Sequence, residues 1–139
     1  RDWSSDVCSS DLHVIQPVEV LTGDDGHQMV VFWSVGNFVS TQSNNRNMIG
    51  LCAKLTMVKD ADGARIAAYE ALPTVTHRAW GSDFGGYLLR DYTDELALAS
   101  SVHELDSSAG YSRQWYVDFC AGVLGDGFDY DTLSVHGSL

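Results

Sequence analysis

The chain has little positive charge: 8 Lys+Arg stand against 19 Asp+Glu in 139 residues, a formal net charge of −11. A phosphate backbone must be met by a basic face, so basic residues scattered singly exclude nucleic acid as a partner. Proline is nearly absent, at 2 residues, while 45% of the chain is hydrophobic. Such a composition can bury a core and is not that of an acidic disordered tail. No run approaches the ~20 apolar residues of a membrane span, and the first residues lack the basic-then-apolar pattern of a secretory leader. Cys8, Cys52 and Cys120 make neither a CxxC pair nor an even disulfide framework, which leaves the redox compartment open.

Residues 1–12 (RDWSSDVCSSDL) hold four serines and three aspartates and stop abruptly before a strand-like segment. They show the period of neither a strand nor a helix. One back-translation of them is a common sequencing-adapter oligonucleotide, so they are set apart from the fold as a scar of sequence assembly. Residues 13–139 are then read as the C-terminal part of a larger protein. The expected division is a sheet part over 13–78 and a helical closing part over 79–139.

Along that stretch, residues 14–21 are strand-like, and Gly23, Asp24, Asp25 and Gly26 supply the backbone freedom of a tight turn. Residues 28–35 (QMVVFWSV) are β-branched and aromatic, which predicts a second strand buried on both faces. Gly36-Asn37-Phe38 ends it, and 40–47 (STQSNNRN) has the composition of a surface loop. A second hairpin is expected from residues 48–58 and 64–76 around Asp60-Ala61-Asp62-Gly63, with Pro73 placing its strand at an edge or end. After a glycine-rich break at 81–86, a helix is expected over 93–105, capped by Thr93 or Asp91. A second runs from Ser112 to a stop at Gly125 in the left-handed helical conformation.

Few residues carry chemistry by their spacing alone. His13 opens a strand, where a lone His is more often structural or exposed than a metal ligand or acid/base group, and His27, His77, His103 and His136 have no spacing that would put two imidazoles on one ion. Asn37 follows a strand, where site residues are often presented, although a Gly-Asn pair there is more often just a turn. Asp91, Asp94 and Glu95 fit the positive end of a helix dipole better than an acid/base pair. Asp126, Asp129 and Asp131 hint at a calcium loop but lack its central Gly and terminal Glu. Cys52 and Cys120 lie on apolar stretches and read as core packing. Trp80, Tyr87, Tyr92, Trp115 and Phe119 read as the core of the closing helices rather than a binding platform.

Two boxes carry more. His13-Val14-Ile15-Gln16-Pro17-Val18-Glu19, a turn, and then Val30-Val31-Phe32-Trp33-Ser34-Val35-Gly36-Asn37-Phe38-Val39 closely resemble the CapA family of bacterial poly-gamma-glutamate capsule synthesis proteins, within the calcineurin-like metallophosphoesterase superfamily. That family's pattern is Gly-x-His-Pro-His-Val-x-Gln-Pro-x-Glu, a strand, and Ser-Leu-Gly-Asn-Phe. The resemblance is close to about Val58 and looser beyond, where Leu72 to Arg78 is similar to the family's proline- and threonine-containing strand and Arg90 to Leu96 to the segment opening its closing helices.

The resemblance implies an α/β (α+β) fold, the C-terminal part of a four-layer α/β/β/α sandwich with strands in hairpins followed by two helices. It further implies divalent metal ions in the intact parent, a cell-surface or membrane-associated location, and poly-gamma-glutamate or capsule-synthesis membrane components as partners. His13 matches the second His of His-Pro-His, while Asp11 and Leu12 stand where the first His and the Pro belong. With Asn37 as its only neighbour in the motifs, His13 supplies too few ligands for tight metal binding, so this chain is expected to be inactive. The alternative reading is a piece of a metal-dependent phosphoesterase acting on another substrate, since a fold does not fix chemistry. A third makes the region after residue 80 a packing or binding appendage.

Overall fold

The computed structural model describes residues 12–61, 63–79, 84–106 and 112–139. The segment 1–11 with Asp11, the turn residue Asp62, Trp80 and the side chain of His103 lie outside the described residues. Strands β1 (Val18–Thr22) and β2 (Gln28–Phe32) pair antiparallel, with Val18 across from Phe32 and Thr22 across from Gln28. The loop between them closes on Gly23 N–H to His27 O at 2.8 Å. The ladder runs on beyond the strands, through Gln16 N–H to Ser34 O at 3.0 Å and a bridge between Ile15 and Val35.

A five-stranded antiparallel sheet follows, built from β3 (Ile49–Asp60), β4 (Gly63–Arg78), β5 (Phe84–Leu88), β6 (Phe128–Asp129) and β7 (Ser134–Ser138). Its order is β3-β4-β7-β6, and β5 also pairs with β4. The first hairpin is stitched to β3 by a Gly36–Gly50 bridge and by Leu51 N–H donating to Val35 O at 2.8 Å. Between β5 and β6 come α1 (Asp94–Ala99), α2 (Val102–Leu105) and α3 (Arg113–Leu124). The architecture is mixed α+β, with a mostly antiparallel sheet and a few helices.

Strand alternation decides where the helices go. Ile49 and Leu51 share a face with their cross-strand partners Val75 and Pro73, and with Ala71 and Val135. Ile49, Leu51, Ala71, Val75 and Val135 form one buried cluster with Tyr92, Ala97, Tyr116, Val117, Cys120 and Leu124. Each large apolar side chain buried there contributes roughly 1.5–3 kcal/mol. The opposite face is polar along β3 and β4, where Lys54 pairs with Glu70 at 3.1 Å. Cys52 points to that face and is exposed, so only Cys120 of the two cysteines is core.

Pro73 is not at an edge: β4 is the central strand, paired with β3, β5 and β7. Leu51 sends its N–H away from β4 to Val35 O, which makes Leu51–Pro73 a non-hydrogen-bonded pair. The side of Pro73 that lacks a donor therefore faces away from β3. There β7 ends at Ala71 and β5 begins at Thr74, so no ladder bond is lost.

Burial of residues 28–35 on both faces does not hold either. Val31 is buried, but Met29, Trp33 and Val35 are about two-fifths exposed, because among the described residues no second layer covers this hairpin. The surface loop expected at 40–47 is partly inside: Ser40 and Asn45 are buried, and a 3₁₀ turn spans Asn45–Met48. The helix expected over 93–105 is broken at Ser100 and Ser101, both buried, with Ser101 N–H and Oγ bound to Arg78 O. Residues 79–139 also contribute β5, β6 and β7, so helices do not simply follow strands.

Both expected caps form. Thr93 Oγ1 accepts from Leu96 N–H, and Ser112 Oγ accepts from Trp115 N–H at 3.3 Å. Gly125 ends α3 with φ 70° and ψ −153° rather than in the left-handed helical conformation expected of it. Ser112→Ala, which removes one acceptor from the first turn of α3, is expected to lower unfolding free energy by about 1 kcal/mol. Urea denaturation followed by circular dichroism would measure it, and an unchanged midpoint would show that the cap contributes nothing.

Candidate functional site

The hairpin register itself brings the two motif residues together. Ile15 stands across from Val35, and continuing the ladder by two residues on each side sets His13 opposite Asn37. His13 Nδ1 lies 2.9 Å from Asn37 Oδ1. The Asn37 amide is held from two further directions: its Nδ2 donates to Asn47 O at 2.9 Å and to His13 O at 3.4 Å. Asn47 is itself anchored, its Nδ2 donating to Gln42 Oε1. Below the pair, Ser34 Oγ donates to Leu12 O at 3.2 Å and accepts from Gly36 N–H.

The backbone under Asn37 can adopt this path because two glycines face each other. Gly36 sits at φ +61°, and a Cβ there would lie 2.6 Å from Ile49 O. At Gly50 a Cβ would lie 2.2 Å from the Asn37 carbonyl oxygen. Residues 37–40 then fold over the polar face of the sheet, with Thr76 Oγ1 donating to Phe38 O at 3.4 Å. The sequence singled out His13 and Asn37; the parts played by Asn47 and Gly50 carry no motif and were missed.

A metal centre of the implied kind needs three or four convergent donors. Among the described residues no group of three His, Cys, Asp or Glu side chains converges, and His13 with Asn37 makes two donors. These residues alone do not fit a resident divalent ion, and no hydrolytic step is derived from them. The candidate calcium loop has another use: Asp129 Oδ1 accepts from Asp131 N–H at 2.8 Å and Thr132 N–H at 3.3 Å, closing the β6–β7 turn. Those bonds hold the Asp129 carboxyl below the usual range. Asp94 and Glu95 occupy the first turn of α1, where Glu95 is held low by hydrogen bonds to its own N–H and to Thr93. His27 lies in the β1–β2 loop, and His136 is exposed on β7 across from Glu70.

His77 is not at an edge but on central β4, against a group of rings. Its Nδ1 is 3.1 Å from Tyr92 Oη, and its ring meets Tyr87 edge-on with centroids 6.0 Å apart. Tyr92 Oη donates to Leu96 O, and Tyr116 Oη donates to Asn45 Oδ1 at 2.6 Å. Burial pushes the Tyr116 hydroxyl up to about 12 and raises Tyr92 further still. Tyr87, Trp115 and Phe119 pack partly buried against the same cluster, as core residues of this region should. Comparison with family models, with curated proteins and with solved structures gives no match.

Two outcomes follow from this geometry. Gly50→Ala drives a methyl group into the Asn37 carbonyl and is expected to cost about 1–3 kcal/mol, read as a lower urea midpoint; an unchanged midpoint would mean that the close approach is not needed. Burial lowers the His77 pKa below its ordinary 6.5, so between those two values the unfolded chain binds the extra proton. Stability is thus full above about pH 6.5 and falls as pH drops through that window. His77→Gln should flatten this part of the profile, measured by urea midpoints at about pH 7.5 and about pH 5.5; an equal slope in both proteins would count against it.

Proposed function

We propose that the chain is the C-terminal part of a CapA-like domain, a four-layer metallophosphatase-type sandwich, whose parent serves synthesis or export of a poly-gamma-glutamate capsule at the bacterial surface. The observation that carries this reading is the His13–Asn37 contact at 2.9 Å. The two residues come from the two boxes of the resemblance, and the length of chain between those boxes is what the β1–β2 register needs to place them face to face. The exposed apolar side chains of the first hairpin support it too, since a sandwich would bring a second layer to them.

Poly-gamma-glutamate carries a carboxylate on every residue, and a chain of net charge −11 repels such a polymer. The partners of this part are therefore protein components of the capsule machinery at the membrane rather than the polymer. No helix among the described residues is long and apolar enough to cross a membrane. With two candidate donors, the chain itself does not turn over phosphate esters.

Disrupting the parent gene in its source is expected to abolish extracellular poly-gamma-glutamate, measured by acid hydrolysis and glutamate release from the cell surface. Unchanged polymer would overturn the capsule reading. The purified 139-residue chain is expected to release no nitrophenol from p-nitrophenyl phosphate with added manganese or zinc. Metal-dependent turnover that His13→Ala abolishes would favour the hydrolase alternative.

A further inference from the structure

An imidazole offers a bare lone pair on only one nitrogen at a time when neutral, and the hydrogen bond made by the other nitrogen decides which. Free histidine side chains favour the proton on Nε2, which leaves Nε2 unable to accept a proton or bind a cation. At this site the neighbour of His13 Nδ1 is an amide whose own orientation is already settled. Asn37 Nδ2 has two carbonyl oxygens to donate to, Asn47 O at 2.9 Å and His13 O at 3.4 Å. Turning the amide over would set its oxygen against those two oxygens, so Oδ1 must face His13. An Oδ1 only accepts, and at 2.9 Å it demands a proton on Nδ1.

We propose that Asn37 is the positioning residue of this site: it holds neutral His13 as the Nδ1–H tautomer and so leaves Nε2 as the bare nitrogen, ready to accept a proton. A hydrogen bond that fixes the proton on one ring nitrogen is how an imidazole is held ready as a general base. Asn47 and the facing glycines Gly36 and Gly50 complete the device. The first fixes the amide, and the glycines let the Asn37 backbone come close enough to β3 for that bond to form. The assignment deepens the reading of His13 as a motif residue, but the tautomer itself needs no capsule and no metal.

The test is made on the full chain without metal, by long-range proton–nitrogen NMR correlations of the labelled imidazoles at about pH 8, above the ordinary imidazole range. Loss of one signal in His13→Gln assigns His13. The wild type is expected to show mainly Nδ1–H, and Asn37→Ala to invert the ratio toward Nε2–H with the remaining spectrum unchanged.

A wild-type His13 that is mainly Nε2–H overturns the proposal, and it does so without any variant. An Asn37→Ala variant that stays mainly Nδ1–H would show that Asn37 does not set the tautomer and would overturn it as well. Because polymer production is not read here, failure of the tautomer assignment and failure of the capsule reading are told apart.

Discussion

Strand β4 sets the terms for the rest of the molecule. Its backbone has donors and acceptors on both sides for sixteen residues, and any of them left buried without a partner costs about 1–3 kcal/mol. One side is satisfied by β3 over nearly the whole length. The other is shared between β7, covering Ala68 to Ala71, and β5, covering Thr74 to Arg78. The one residue without an N–H to satisfy, Pro73, falls in the gap between them. The helices connect β5 to the β6–β7 pair and cover the apolar face on the way, so helix placement follows from the demands of one strand.

The candidate site meets the same sheet where Gly36 and Gly50 face each other. Gly50 is the second residue of β3, and its missing side chain lets the Asn37 carbonyl rest on the sheet. The first hairpin leaves Leu21, Met29, Trp33 and Val35 about two-fifths exposed. The His13–Asn37 pair thus sits where an open hairpin meets a well-packed sheet. Its geometry is inherited from the sheet side, through Asn47 and Gly50, rather than from the hairpin.

Local signals were legible and non-local ones were not. Both hairpins were readable because alternation and turn residues act within a few positions, and α3 was readable because Ser112 caps it and Gly125 stops it. The break in the expected 93–105 helix has a local cause, the paired Ser100 and Ser101, but its decisive bonds go to Arg78 on β4. Strand β5 carries two glycines and β7 a histidine and a glycine, and neither alternates clearly; they are strands because β4 offers them an edge. Cys52 was misplaced by one step of the same alternation, since apolar neighbours on a strand do not say which face is covered. For the site, the two boxes named His13 and Asn37, while Asn47, Gln42 and the His77–Tyr92 contact became visible only once the chain was folded.

The pairing of β4 with β7 also orders events in time. Ala68 meets Ser138 and Ala71 meets Val135, contacts between distant parts of the chain, whereas β3 and β4 meet across a two-residue turn. Closing the short loop costs far less chain entropy, so the β3–β4 hairpin forms early and the β4–β7 ladder late. In the interval the middle of β4 presents a bare edge beside exposed apolar residues such as Leu55 and Met57, a template for another chain. The strand that organises the folded molecule is therefore also the one most exposed to mispairing while the molecule is being made.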